Sequence, residues 1–174
     1  SSQTSWSGTY TVGAGQTSAD LSISTITGTI TDAAGNSTSN PTIPAGQNIA
    51  DSKAIVVDTT APTVSAGSNQ TKNAQFTQTG TAIDVNAMTY QWARQSGPGT
   101  ITFGTATALA TTISASTDGT YIIRLTATDA AGNSAYSEMT LTWDTTGPAV
   151  TSATSTTADG QYKTGGAINV TLNF

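Results

Sequence analysis

Apolar side chains alternate with Thr, Ser and Gly at a spacing of two over most of this chain. That period belongs to β-strands, whose side chains point to opposite faces in turn. The pattern is densest between residues 63 and 143. Candidate strands there cover 63–66, 74–78, 81–85, 88–95, 100–103, 109–114, 119–129 and 135–143. Turn chemistry separates them, as in Gly97-Pro98-Gly99 and Ala130-Ala131-Gly132-Asn133. Glycine and asparagine there supply the backbone conformations that tight turns need.

The flanks carry the same alternation but too few strands to close a sandwich. Before residue 58 the pattern predicts strands at Trp6–Val12, Ala19–Ser24, Ile26–Asp32 and Lys53–Val57. Residues 33–36 form a loop, and the polar stretch 37–52, with Pro41 and Pro44, reads as an irregular crossing. After residue 148 two strands are expected, 150–156 and 167–174, the second alternating Ile168, Val170, Leu172 and Phe174.

Two joints divide the chain. Asp58-Thr-Thr-Ala-Pro62 and Asp144-Thr-Thr-Gly-Pro148 each follow a closing strand and precede a new one. Proline fixes φ and biases the residue before it towards extended backbone. Each joint therefore reads as a short, stiff link. The expected division is 1–60, the closing part of one domain; 61–147, a complete domain; and 148–174, the opening strands of another. The joints lie 86 residues apart, and the rest of the chain amounts to 88. That near-equality suggests one period of a two-domain repeat, or a subunit completed by neighbouring copies. An arbitrary window across three domains is the other reading.

Composition removes several function classes. Only 9% of residues are charged, the net charge is −5 and the pI is about 4.1. Nucleic-acid binding calls for basic patches, which this balance does not offer. There is no Cys and no His, so thiol chemistry and the commonest general base are both missing. Ser and Thr abound, with 38 threonines, but no motif supplies a nucleophile with a partner base. A non-catalytic protein is expected. No apolar run approaches the length that spans a bilayer. Thr is β-branched, so its abundance suits half-exposed strands.

Residues of the central stretch carry a resemblance. Tyr90-Gln-Trp92, Gly97-Pro98-Gly99, Gly119-Thr-Tyr121-Ile-Ile-Arg-Leu125 and Asp129 with Gly132-Asn133 resemble the PKD family of Ig-like modules. The resemblance implies that Trp92 is a core residue and Tyr121 sits in a tyrosine-corner-like position. The flanks, through Thr31-Asp32-Ala-Ala-Gly35-Asn36 and Ala54-Ile-Val-Val-Asp58-Thr-Thr-Ala-Pro62, resemble Ig-like repeats of giant bacterial surface adhesins. Together these imply an all-β protein of tandem Ig-like sandwiches in a beads-on-a-string arrangement, located outside the cell or on its surface. Its partners would be neighbouring Ig-like repeats or further copies of itself, with a glycan or host-surface ligand as an option. An accessory module of a secreted enzyme, binding carbohydrate or protein, is the alternative. Exposed Trp6, Trp92 and Trp143 would favour sugar stacking; buried ones would be core.

One heptapeptide occurs twice, Thr-Asp-Ala-Ala-Gly-Asn-Ser at 31–37 and 128–134. Its simplest reading is a hairpin with favourable turn geometry. Sandwich topology gives it a second reading. The loop between the last two strands lies at the end where the chain enters the domain. Asp129 and Asn133 would then face Asp58 in the joint, with Asp84 on the same end. Such a set of hard oxygen donors suits Ca2+. By the same logic Asp144 would meet Asp32 and Asn36 across the seam between copies, and Asp159 could join the Asp58 site.

Overall fold

A computed structural model describes residues 7–174. Trp6, and the start of the strand expected from it, lie outside the described residues. The structure is all-β apart from one helical turn.

The central module contains nine strands: β3 (Thr63–Ser65), β4 (Gln70–Lys72), β5 (Phe76–Thr79), β6 (Thr81–Ile83), β7 (Met88–Ser96), β8 (Ile101–Phe103), β9 (Ala110–Ala115), β10 (Gly119–Asp129) and β11 (Ser134–Trp143). Eight of these were expected from the alternation. The ninth, β4, pairs parallel to the end of β11, Leu141 opposite Gln70 and Trp143 opposite Lys72. One sheet has the order β4-β11-β10-β7. The β3–β6 pair and the β5-β9-β8 sheet cover its inner face.

The two-residue period decides what is buried. Along β10, Tyr121, Ile123, Leu125, Ala127 and Asp129 point inwards, while Ile122, Arg124, Thr126 and Thr128 alternate outwards. Opposite, β11 contributes Met139, Leu141 and Trp143. Trp92 from β7 and Ile113 from β9 close the core, with Phe76, Ile101 and Phe103 packed against it. Burial of several such side chains, each contributing roughly 1.5–3 kcal/mol, holds the two layers together.

Both aromatic expectations hold. Trp92 is buried, and its indole N–H donates to the Ala108 carbonyl at 2.9 Å. Tyr121 is buried in its ring, and its hydroxyl donates back to the Thr117 carbonyl at 2.6 Å, in the manner of a tyrosine corner. Gly97 makes this possible. Its φ is +136°, and a Cβ there would come within 2.1 Å of the Tyr121 ring. Trp143 lies in the core cluster at the end of β11.

The flanks are thinner than their alternation suggests. β1 (Thr29–Thr31) and β2 (Ser37–Ser39) form an antiparallel hairpin around the 32–36 loop. The 37–52 stretch is thus not wholly irregular. It holds β2 and one helical turn, α1 (Ile49–Ser52), closed by a capping box between Asn48 and Asp51. Residues 7–12 form no strand, and the expected strands at 19–24 and 53–57 reduce to a bridge between Ser18 and Val57 with one further bond from the Leu21 N–H to the Ile55 carbonyl. After the module, β12 (Ser152–Thr154) and β13 (Thr171–Asn173) make a small antiparallel pair, shorter than predicted. A strand needs a neighbour for its backbone groups and a second layer for its apolar face. Among the described residues neither flank has the second layer.

Candidate cation site at the joint

Three carboxylates meet where the first joint enters the module. Asp58, Asp84 and Asp129 place carboxylate oxygens within 4.8 Å of one another. Each comes from a different segment. Asp58 follows buried Val57 and precedes buried Pro62, so the joint lies against the module. Asp84 follows β6 in a short turn, its Oδ1 accepting from the Asn86 N–H at 2.8 Å. Asp129 ends β10 on the buried side of the sheet.

The hairpin after β10 shapes the third carboxylate. Asp129 Oδ1 accepts the N–H groups of Ala131 and Asn133 at 2.9 and 2.8 Å. Its Oδ2 accepts from the Asn133 amide at 2.8 Å. That same amide nitrogen donates to the Asp58 backbone carbonyl at 3.1 Å. Asn86 donates its amide to Asp58 Oδ2 at 2.5 Å. Burial pushes the Asp129 carboxyl upwards, but the bonds from Asn133, Ala131 and Gly132 outweigh it and hold its pKa below the ordinary 3.8.

The geometry assigns Asn133 a different part from the ligand role suggested by sequence. Its N–H groups face Asp129 and Asp58, so it clips the hairpin to the joint. Asn86, in the turn after β6 beside Asp84, does the same for Asp58. Among the described residues the single salt bridge is Arg124–Glu138, so no Lys or Arg balances these three acids. Asp84 Oδ2 takes no hydrogen bond among the described residues. An all-oxygen donor set that is negatively charged fits a hard cation such as Ca2+, which takes about six to eight oxygens from carboxylates, carbonyls and water.

The remaining candidates are not gathered here. Asp32 and Asn36 repeat the Asp129 hairpin almost bond for bond. The Ala34 and Asn36 N–H groups donate to Asp32 Oδ1, and the Asn36 amide to Oδ2, all at 2.9 Å. Those bonds, led by the Asn36 side chain, lower the Asp32 pKa. No joint lies against this hairpin among the described residues. Asp144 accepts the Thr146 N–H at 3.0 Å, as Asp58 accepts that of Thr60 at 2.9 Å, but meets no hairpin. Asp159 sits in the exposed loop between β12 and β13, apart from the Asp58 cluster.

Asp118 is a residue the sequence did not single out. It precedes β10 and accepts the Thr145 N–H at 3.0 Å and the Thr145 and Thr146 hydroxyls at 2.8 and 2.9 Å. These bonds, the Thr145 N–H first, lower its pKa. It therefore anchors the second joint as the chain leaves the module. No local motif marks it; an acid immediately before a Gly-led strand is the only signal.

Comparison with known proteins places the central module. Residues 63–142 match the protein family described as "K319L-like, PKD domain". The solution structure of the PKD domain from KIAA 1837 protein is similar, at 22% identity and a TM-score of 0.43, over 49% of this chain and 90% of that one. A nucleoside hydrolase-related hypothetical protein from Saccharophagus degradans, described as associated with carbohydrate metabolism, is similar at 16% identity and a TM-score of 0.38, over 44% of this chain and 21% of that one. No curated protein matches the chain. The family match thus falls on the central module, whose strands form an Ig-like sandwich.

Proposed function

We propose that this chain is a non-catalytic structural segment of an extracellular stalk, adhesin or filament. Tandem Ig-like units would be linked by Asp-Thr-Thr-x-Pro joints, and Ca2+ would stiffen the joint where the chain enters the PKD-like module. The observation that carries this reading is the meeting of Asp58, Asp84 and Asp129 from three separate segments. A cation held there would tie the joint, the turn after β6 and the β10–β11 hairpin to one point. It would also neutralise three like charges that otherwise repel. Rotation about the joint would then be restricted, and a stalk would gain length and stiffness.

The non-catalytic part of the reading is supported by where the acids lie. Most occupy joints, turns and strand ends, Glu138 within β11 is paired with Arg124, and the chain offers neither His nor Cys to work with them. The extracellular part is supported by the PKD-like domain, a class often found outside cells. Among the described residues no helix is long and apolar enough to cross a membrane. Assembly by strand complementation between copies would use the open flanks.

An accessory module binding carbohydrate receives less support. Trp92 and Trp143 are buried, and Trp6 lies outside the described residues. On the central module Tyr136 is the one large aromatic that stands exposed, and the Arg124 guanidinium stacks over it at 3.8 Å.

Calorimetric titration with CaCl2 tests the cation. The chain should bind one Ca2+, and Asp84→Asn should abolish or greatly weaken that binding. No heat and no saturation with the unaltered chain would remove the cation from the reading.

A further inference from the structure

The chain contains two Asp-Thr-Thr-x-Pro joints and two hairpins of one sequence, yet among the described residues one joint meets one hairpin and the other two stand apart. At the assembled pair Asp58 is half-buried, Pro62 buried, Asp129 buried and Asn133 half-buried. At the other pair the matching residues, Asp144, Pro148, Asp32 and Asn36, are all exposed. Their local geometry is already the same. The Thr31 and Ser37 hydroxyls meet at 2.9 Å across the first hairpin, and those of Thr128 and Ser134 at 2.8 Å across the second. Gly35 and Gly132 share a left-handed φ, +89° and +94°. Joint and hairpin are thus both formed as in the assembled pair, and among the described residues neither meets a counterpart.

Apolar surface marks the same two segments. Of the sixteen large hydrophobic residues that stand exposed among the described residues, thirteen lie in the flanks and three on the central module. Leading into the free hairpin are Ile23, Ile26 and Ile30, at 41%, 38% and 62% exposure. Beyond the free joint, Ile168, Val170 and Leu172 alternate at 56%, 67% and 50%. Ile168 and Val170 lead into β13 and Leu172 lies on it, and an alternating apolar row of this kind is what a sheet presents to a second layer. Exposed apolar surface on this scale marks an interaction site.

We infer that the occupant of each surface is a second copy of this chain: the Asp144 joint and the β12–β13 pair of one copy seat on residues 7–57 of the next, Asp144 facing the Asp32 hairpin as Asp58 faces Asp129. The unit so formed is a second Ig-like sandwich made of two chains. The contact is heterologous, since one surface meets a different one, so it propagates head to tail. Backbone pairing at the strand edges supplies affinity, and the alternate side chains set the register. This rests on the structural reading above and specifies the partner and the surfaces.

Sedimentation of the 174-residue chain, from micromolar to near-millimolar concentration and without added Ca2+, tests it. The unaltered chain should grow into dimers and longer species. Ile30→Glu blocks one surface, and Val170→Glu with Leu172→Glu blocks the other. Each variant alone should stay monomeric, and the two mixed should stop at a heterodimer. All these positions are exposed and outside the central core, so an unchanged melting transition of the module confirms that the variants are folded. An unaltered chain that stays monomeric throughout would overturn the inference. So would variants that still associate alone, because that requires a like-with-like contact. Either failure leaves the cation reading to its own titration, which concerns a single chain.

Discussion

The side-chain amide of Asn133 donates to the backbone carbonyl of Asp58 at 3.1 Å, across 75 residues of sequence. This bond joins the last hairpin of the module to the link that leads into it. It makes the orientation of the joint a property of the fold. Asn133→Ala should leave the module folded, with a melting temperature within a few degrees of the parent. The change should appear at the joint instead. Amide exchange at Thr59 and Thr60, followed by NMR or mass spectrometry, should speed up several-fold relative to exchange in β10.

Tyr121 tests the packing of the module. Its hydroxyl bonds to the Thr117 carbonyl at 2.6 Å while its ring lies in the core. Tyr121→Phe keeps the ring and removes the bond, so the expected loss is about 1 kcal/mol. For a domain of this size that corresponds to a fall of about 4–8 °C in Tm, measured by circular dichroism.

Gly97 should be less tolerant. Its φ of +136° is strained for any L side chain, and a Cβ would strike the Tyr121 ring at 2.1 Å. Gly97→Ala should cost more than Tyr121→Phe, about 2 kcal/mol or more, because ring or backbone must move. Denaturant unfolding of the two variants side by side gives the comparison.

Acid should weaken the structure in a defined window. Asp32, Asp118 and Asp129 all have carboxyls held below the ordinary value by hydrogen bonds that favour the ionised form. A depressed folded-state pKa contributes stability that is complete above the unfolded value, about 3.9, and is lost as pH falls through the folded one. Stability should therefore be level from neutral pH to about 5 and fall below about 4. Asp118→Asn should make that fall shallower, and should also loosen Thr145 and Thr146 without disturbing the core.

The alternation read from sequence located eight of nine module strands because each has a layer opposite to bury its apolar face. β4 escaped because Gln70-Thr-Lys72 has no apolar residue; it is held by the edge of β11. The same reading overestimated the flanks. Residues 19–24 alternate well and 54–57 form an apolar run, but pattern becomes strand only where a partner satisfies the backbone. At the site, topology correctly brought Asp58, Asp84 and Asp129 together. It could not show that Asn133 presents nitrogen there, since side-chain orientation depends on the Asp58 carbonyl 75 residues away. Asp118 was hidden for a similar reason: its partners, Thr145 and Thr146, are 27 and 28 residues distant.

The most direct test of a cation-stiffened joint is thermal melting of dilute chain with Ca2+ and then with chelator, alongside Asp84→Asn. Ligand that binds only the folded form raises stability by mass action. The unaltered chain should melt several degrees higher in millimolar Ca2+ than in chelator. Asp84→Asn should melt at one temperature in both, and above the unaltered chain in chelator, because one of three crowded charges is gone. Identical melting of the unaltered chain in Ca2+ and chelator, or an equal Ca2+ shift in the variant, would contradict the account.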